Sequence, residues 1–219
     1  MPSSHSHIFA RFFKKNIWRN RNYLNNLRKE KVTNMQHKGT VRLETNRLIL
    51  RPFKLEDAET VFKNWASDDE VTKFLTWQTH ATVEDSKGFM EFCVNGYQEK
   101  DCYQWGMELK DTHELIGNIS VVKVNEEIDG VELGWVIGRS FWGKGYTAEA
   151  AKEVIRFLIE EVGANRVAAR YDTNNPNSGR VMEKAGMKYE GTLRQGDRNN
   201  QGIVDCVYYS ILRSEWGRQ

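Results

Sequence analysis

Between residues 131 and 151 the chain reads VELGWVIGRSFWGKGYTAEAA, and no other stretch restricts its fold so tightly. An alternating apolar run, a short segment holding Gly138, Gly143 and Gly145, and an amphipathic run follow one another without a spacer. Across that segment the apolar period changes from about 2 to about 3.6, which predicts a strand passing through a tight loop into a helix. Glycine lets backbone N–H groups approach an anion with no Cβ in the way. A helix N-terminus adds unpaired N–H groups and the positive end of a dipole. The stretch therefore predicts a cradle for a phosphate or pyrophosphate.

The elements on either side alternate. Residues 47–53 (RLILRPF) read as a strand. Residues 55–66 read as a helix with Leu55, Ala58, Val61, Phe62 and Trp65 on one face. Thr82 and Asp85 make a capping-box pair that opens a second helix, running to about residue 100. Residues 103–109 and 115–124 form a hairpin around KDTHE, and 131–137 adds a further strand. The helix after the glycine loop runs to residue 162 and stops at Gly163. A strand at 166–171, a helix at 177–185, and strands at 188–193 and 203–212 around the polar turn QGDRNNQG close the chain. This order predicts a mixed α/β (α+β) domain with a largely antiparallel sheet and one parallel pair around the helix at 146–162.

That order also bears on which anion the loop holds. Residues 138–144 match the first seven positions of the nucleotide loop GxxxxGK[ST], but the eighth is Gly145, which has no hydroxyl for Mg²⁺. The loop also follows an antiparallel meander rather than an early parallel strand, which argues against an NTPase. The dinucleotide pattern GxGxxG fits worse. A turn that needs glycine for geometry alone remains an alternative.

The formal charge of +2 conceals a split. Residues 1–40 hold nine Lys/Arg and one acid, net +8, whereas residues 41–219 hold 23 bases and 29 acids, net −6. The boundary is therefore set between 40 and 41. Residues 1–40 read as a basic, disordered or weakly helical extension, with Met35 as an internal start. Contact with RNA, a ribosome or a membrane surface, or a targeting role, stay open for it. Residues 41–219 read as one domain. The apolar runs are too short for a membrane span. Cys93, Cys102 and Cys206 form no CxxC or Cys/His cluster, which points to a reducing, cytoplasmic setting with no metal.

Four motifs in order carry a resemblance. Trp142-Gly143-Lys144-Gly145-Tyr146-Thr147 looks like the acetyl-CoA signature [QR]-x-x-G-x-[GA] of the GNAT N-acetyltransferases, with Trp and Thr replacing its end positions. The stretch ETNRLILR at 44–51, Gly117-Asn118-Ile119, and NPNSGRVMEKAGM at 175–187 resemble further motifs of that family's RimJ/RimL-like branch, the ribosomal-protein N-terminal acetyltransferases. The resemblance covers about residues 44–216, and the chain is identified as a member of the family.

The resemblance implies the GNAT fold, a mostly antiparallel twisted sheet with helices on both faces and a splayed central parallel pair. It implies acetyl-CoA as co-substrate, lying between strands 131–137 and 166–171 with its pantetheine arm along Val136 and Ile137. The N–H groups of Trp142, Gly143, Lys144, Gly145, Tyr146 and Thr147 would hold the pyrophosphate. Lys144 adds a point charge or is merely solvated. Asn175 would bind the pantetheine arm, cap the next helix, or both. Ser178 would protonate the leaving thiolate. Relatives outside the branch carry Tyr where this chain has Met182, so the acid is Ser178, a water or absent. The reaction implied is direct attack of a neutral primary amine within a ternary complex, with a strand N–H near Ile137 stabilising the oxyanion.

Glu132 is the candidate base, or else a steering carboxylate. Trp77, Tyr103 and Trp105 are substrate wall or core. The acceptor is a protein N-terminus or a small cationic amine, which suits a domain of net −6. The alternative function is a non-catalytic CoA-binding domain tethered to RNA or a ribosome by residues 1–40. A homodimer stays open.

Overall fold

The computed structural model describes residues 33–217. Its strands are β1 (Leu43–Glu44), β2 (Leu48–Arg51), β3 (Gln104–Leu109), β4 (Leu115–Asn125), β5 (Gly130–Ile137), β6 (Arg166–Asp172), β7 (Lys188–Asn199) and β8 (Gly202–Leu212). They join in one sheet in the order β1-β2-β3-β4-β5-β6-β8-β7. Every adjacent pair is antiparallel except β5 and β6, which run parallel. The expected mixed architecture with a single parallel pair is present.

Its helices are α1 (Ala58–Val61), α2 (Asp69–Thr72), α3 (Val83–Gly96), α4 (Tyr146–Arg156) and α5 (Pro176–Lys184). They cover both faces of the sheet. On one face Ala150, Ala151, Val154 and Ile155 of α4 pack with Leu48, Leu50, Trp105, Met107, Val167 and Ile211. On the other, Ala58 and Val61 of α1 and Met90 and Cys93 of α3 pack with Phe53, Leu115 and Val136. Coverage on both faces explains why the LIL of β2 and the LIGNIS of β4 are mostly apolar or small and buried at every position, with the Asn118 amide satisfied by donating to Trp105 O.

Several boundaries differ from the sequence expectation. The helix read at 55–66 divides into a 3₁₀ turn (Leu55–Asp57), α1, and a π turn (Phe62–Ala66); of the expected apolar face Ala58, Val61 and Trp65 are buried and Phe62 half-buried, whereas Leu55 is exposed. The short α2 has no counterpart in the sequence expectation; Asp68 starts it by accepting a hydrogen bond from Glu70 N. The polar stretch read as a long turn after residue 193 is mostly strand. Asp197, Arg198 and Asn199 pair with Val204, Ile203 and Gly202, so the hairpin turns at Asn200 and Gln201 alone. This is an edge strand largely exposed to water, where polar side chains cost little, and hydropathy reports burial rather than pairing.

The N-terminal boundary also moves. The compact unit begins at Asn34, not at residue 41. Met35 is buried, the Asp129 carboxylate accepts from Asn34 N and Nδ2 at 2.9 and 2.8 Å, and Gln36 N donates to Val162 O at 2.7 Å. Charge composition does not register these contacts. The basic extension expected over the first forty residues lies outside the described residues as far as residue 32.

Candidate functional site

The site is built where the parallel pair parts. β5 and β6 pair from Gly130↔Arg166 to Leu133↔Ala169, although β5 continues to Ile137 and β6 to Asp172. Beyond Leu133 neither strand finds the other, and a cleft of about 880 Å³ opens between them. Gly134 to Ile137 line one side, and Tyr171 and Asp172 the other. A strand edge without a neighbour offers its N–H and C=O groups to an extended ligand carrying amides.

The glycine loop closes one end of this cleft. Gly143 and Gly145 have φ of +75° and +80°, in the left-handed region that favours glycine. Gly145 is the N-cap of α4 and brings no capping side chain, so the first-turn N–H groups await an outside acceptor. A Cβ at Gly143 would meet nothing within 4 Å, and one at Gly145 only Arg47 Nη2, at 3.6 Å. The protein thus leaves the space beside these N–H groups empty, as an anion cradle requires. Trp142, Gly143, Gly145, Tyr146 and Thr147 all line the cleft. Lys144 does not; its ammonium rests over the Phe141 ring, 5.4 Å from the centroid. Trp142 Nε1 donates to Ile137 O at 2.9 Å, tying the loop to the end of β5.

A second tie, which sequence reasoning missed, comes from Arg47. Its Nε donates to Glu149 Oε2 at 2.7 Å, its Nη1 to Lys144 O at 3.0 Å, and its guanidinium lies 4.4 Å from the Tyr146 ring centroid. Glu149 Oε1 also accepts from Thr45 Oγ1 (2.6 Å) and Arg47 N (2.8 Å). Burial would raise the Glu149 carboxyl pKa, but these hydrogen bonds and the Arg47 charge hold it below its ordinary value. The start of β2 thereby fixes the loop from the side away from the strands. Only the similarity of RLILR to a family motif hinted at this.

The opposite wall is α5. Asn175 and Ser178 both line the cleft, and Asn175 Nδ2 donates to Ser178 Oγ at 3.2 Å instead of capping the helix. Pro176 occupies the first turn, where its missing N–H is no loss. Met182 is fully buried in the core, away from the cleft. Gly179 lets Tyr171 approach, because a Cβ there would lie 2.7 Å from Tyr171 Oη.

The far end of the cleft is charged. Glu132 and Arg170 form an ion pair, and Arg170 Nε donates to Asp197 Oδ2 at 2.6 Å. Burial would lower the Arg170 pKa, but the Asp197 hydrogen bond and the two carboxylate charges raise it overall, so the guanidinium is a permanent bridge. Glu132 therefore stands in the cleft with one oxygen already engaged. Trp77 lines this end.

Tyr103 and Trp105, expected as substrate wall or core, are core. Both are buried, stacked at 5.7 Å, and packed edge-on to Phe157. Trp105 Nε1 donates to Val41 O at 2.7 Å. Strand alternation points them to the α4 face, and neither lines the cleft. Among the described residues no cluster of His, Cys, Asp or Glu is arranged to hold a metal, and no helix is long and apolar enough to cross a membrane.

Comparison with known proteins matches this geometry. Residues 47–188 match the family model "Acetyltransferase (GNAT) domain". The uncharacterized N-acetyltransferase YoaA of Bacillus subtilis is 34% identical over 78% of this chain and 96% of its own length. The crystal structure of a GNAT-family acetyltransferase from Bacillus anthracis superposes with a TM-score of 0.71 at 29% identity, over 80% of this chain and all of that one. The microcin C7 self-immunity acetyltransferase MccE, solved in complex with acetyl-CoA and AMP, shares the fold (TM-score 0.68, 20% identity, 76% of this chain and 93% of that one).

Proposed function

The chain belongs to the acetyltransferase (GNAT) family, and from that premise we propose that it moves the acetyl group of acetyl-CoA onto a primary amine by direct attack in a ternary complex. The observation that carries this is the open glycine cradle set beside a parallel pair that parts after Leu133. The acetyl thioester supplies an activated carbonyl; the chain's residues position and protonate. N–H groups from Trp142 to Thr147 would hold the pyrophosphate, with the helix dipole adding about 0.3–1 kcal/mol. The edge of β5 at Val136 and Ile137 would align the pantetheine arm, and Asn175 would bind it from α5. Ser178 Oγ would donate toward the departing sulfur, with its hydroxyl oriented by Asn175. Glu132 would take the ammonium proton through its remaining oxygen or a water, since an alkyl ammonium of pKa about 10 is mostly charged near neutrality.

Two carboxylates around one guanidinium give the Glu132–Arg170–Asp197 cluster a net negative charge, which favours a cationic acceptor, a small amine or a protein N-terminus. Free cysteines suit a cytoplasmic setting. The test is thiol release from acetyl-CoA against a panel of small amines and free N-terminal peptides. Turnover with at least one is expected. Tight CoA binding without turnover of any would instead support a non-catalytic CoA-binding domain.

A further inference from the structure

Two stretches of chain, more than a hundred residues apart in sequence, wall the charged end of the cleft. One joins α2 to α3 and brings Phe74, Leu75 and Trp77 to the cleft; the other is the end of β7, with Asp197 and Asn199. They meet at Asn200. Its backbone N donates to Leu75 O at 3.0 Å, and its Nδ2 donates to Thr72 O at 2.9 Å and Trp77 O at 2.8 Å. Its Oδ1 accepts from Gln78 Nε2 at 2.6 Å. Thus both the donor and the acceptor side of the amide reach across to the opposite wall.

The hairpin turn does not account for this residue. Asparagine is common in tight turns because it tolerates positive φ or bonds its own backbone. Asn200 is not among the non-glycine residues with positive φ, and its side chain bonds only the other segment. The same hairpin is anchored beside its turn, where Asn199 Nδ2 donates to Asp172 Oδ2 at 2.8 Å and Asp197 accepts from Arg170. Bonds therefore link β6 to β7, and β7 to the 72–78 segment, around the end of the cleft where an acceptor would enter.

We propose that Asn200 is a specificity-determining latch: it ties the two walls together across this end of the cleft, so the site accepts amines on slender, freely projecting ends and rejects the same amine held close to a folded body. This rests on the acetyl-transfer reading above and names its acceptor class.

The test uses the full chain with Asn200→Ala and Asn200→Asp, the second keeping the size while removing both Nδ2 donors. Two acceptors carry one amine: a free Ala-Gly-Gly tripeptide, and that tripeptide fused directly to the first residue of a folded domain. The wild type is expected to favour the free peptide by about tenfold or more in kcat/KM, and both variants to narrow the preference to about threefold or less. The KM for acetyl-CoA should stay within about twofold, which a general loss of structure would not allow. Amide hydrogen exchange over 72–78 should quicken by about tenfold in both variants. Equal use of the two peptides by the wild type, or an unchanged preference in both variants, overturns the proposal. If acetyl-CoA binds but the wild type acetylates neither peptide, the acceptor class is wrong and the proposal is overturned. Failure of the wild type to bind acetyl-CoA would overturn the donor reading and the proposal that rests on it, whereas binding with equal use of the two peptides overturns the proposal alone.

Discussion

Replacing Gly117 with alanine should damage the proposed acetyl-CoA site from behind. Gly117 sits in β4 opposite Ile137 of β5. A Cβ there would lie 2.4 Å from Val136 O, 2.6 Å from Met107 Cε and 2.9 Å from Ile137 Cα. The methionine can swing away, but the other two atoms are backbone of the strand that lines the cleft. Ordinary contact begins at 3.4 Å, so the Val136 carbonyl must retreat by about 1 Å. Overpacking of this kind costs about 1–3 kcal/mol, and the backbone contacts put it in the upper half of that range. At about 2–4 °C per kcal/mol for a domain of this size, the melting temperature should fall by about 4–12 °C. Because the displaced atoms belong to the end of β5 that lines the cleft and is proposed to align the ligand, acetyl-CoA affinity should weaken by about tenfold, equivalent to about 1.4 kcal/mol. Thermal melting and titration calorimetry read the two effects. Gly88→Ala is the control: it lies in α3 with nothing within 4 Å of its Cβ, and should stabilise by about 0.5–1 kcal/mol without touching affinity. If Gly117→Ala melts within about 1 °C of the wild type and binds acetyl-CoA equally well, the reasoning from β4 through β5 to the site is refuted.

Three more outcomes follow from the same contacts. Arg47→Ala removes the 2.7 Å bond to Glu149, the bond to Lys144 O and the contact with the Tyr146 ring, so the KM for acetyl-CoA should rise by about tenfold with little change in kcat. Arg47→Lys should recover only part of this, having no fork to reach both partners. Acid should unfold the domain through its paired carboxylates: the Arg166 hydrogen bond pulls the Glu190 carboxyl down to about 2, and Glu149 is also lowered. Groups depressed in the folded state stabilise it above their unfolded pKa of about 4.5 and lose that effect as pH falls through the folded values. The melting temperature should therefore drop between about pH 4.5 and 2, and Glu190→Gln should flatten that slope; identical slopes would reject the assignment. Burial pushes the Cys93 thiol up to about 12 and the Cys206 thiol up to about 11. At pH about 8 a disulfide-exchange reagent should label Cys102 at most, with all three reacting in denaturant; rapid labelling of Cys93 in the native protein would contradict its burial.

How far the sequence alone reaches depends on whether a feature is local. The strand, glycine loop and helix from 131 to 162 are legible because one stretch holds the change of period and the glycines that the left-handed positions require. The parallel pair follows from the helix between its strands. What escapes the sequence is made by distant residues. Arg47 and Glu149 are 102 positions apart, and nothing in RLILR says which carboxylate its first arginine will meet. Glu132 is an acid on a strand in the sequence; only the fold brings Arg170 to it and Asp197 to Arg170. Tyr103 and Trp105 read equally well as wall or core, because alternation gives two faces without saying which one meets α4. The end of β7 reads as a turn because a polar edge strand and a polar loop have the same hydropathy.

The central claim is that the glycine loop of 142–147 holds the pyrophosphate of acetyl-CoA. Titration calorimetry of acetyl-CoA into the wild type and into Gly145→Glu tests it most directly, with circular dichroism confirming that the variant is folded. Glutamate at φ +80° carries a backbone strain of about 1–2 kcal/mol, which a domain of this size survives, and it sets a carboxylate beside the N–H groups meant for phosphate. The prediction is clear binding by the wild type and none by the folded variant. Equal affinity in the two would show that the cradle holds something else.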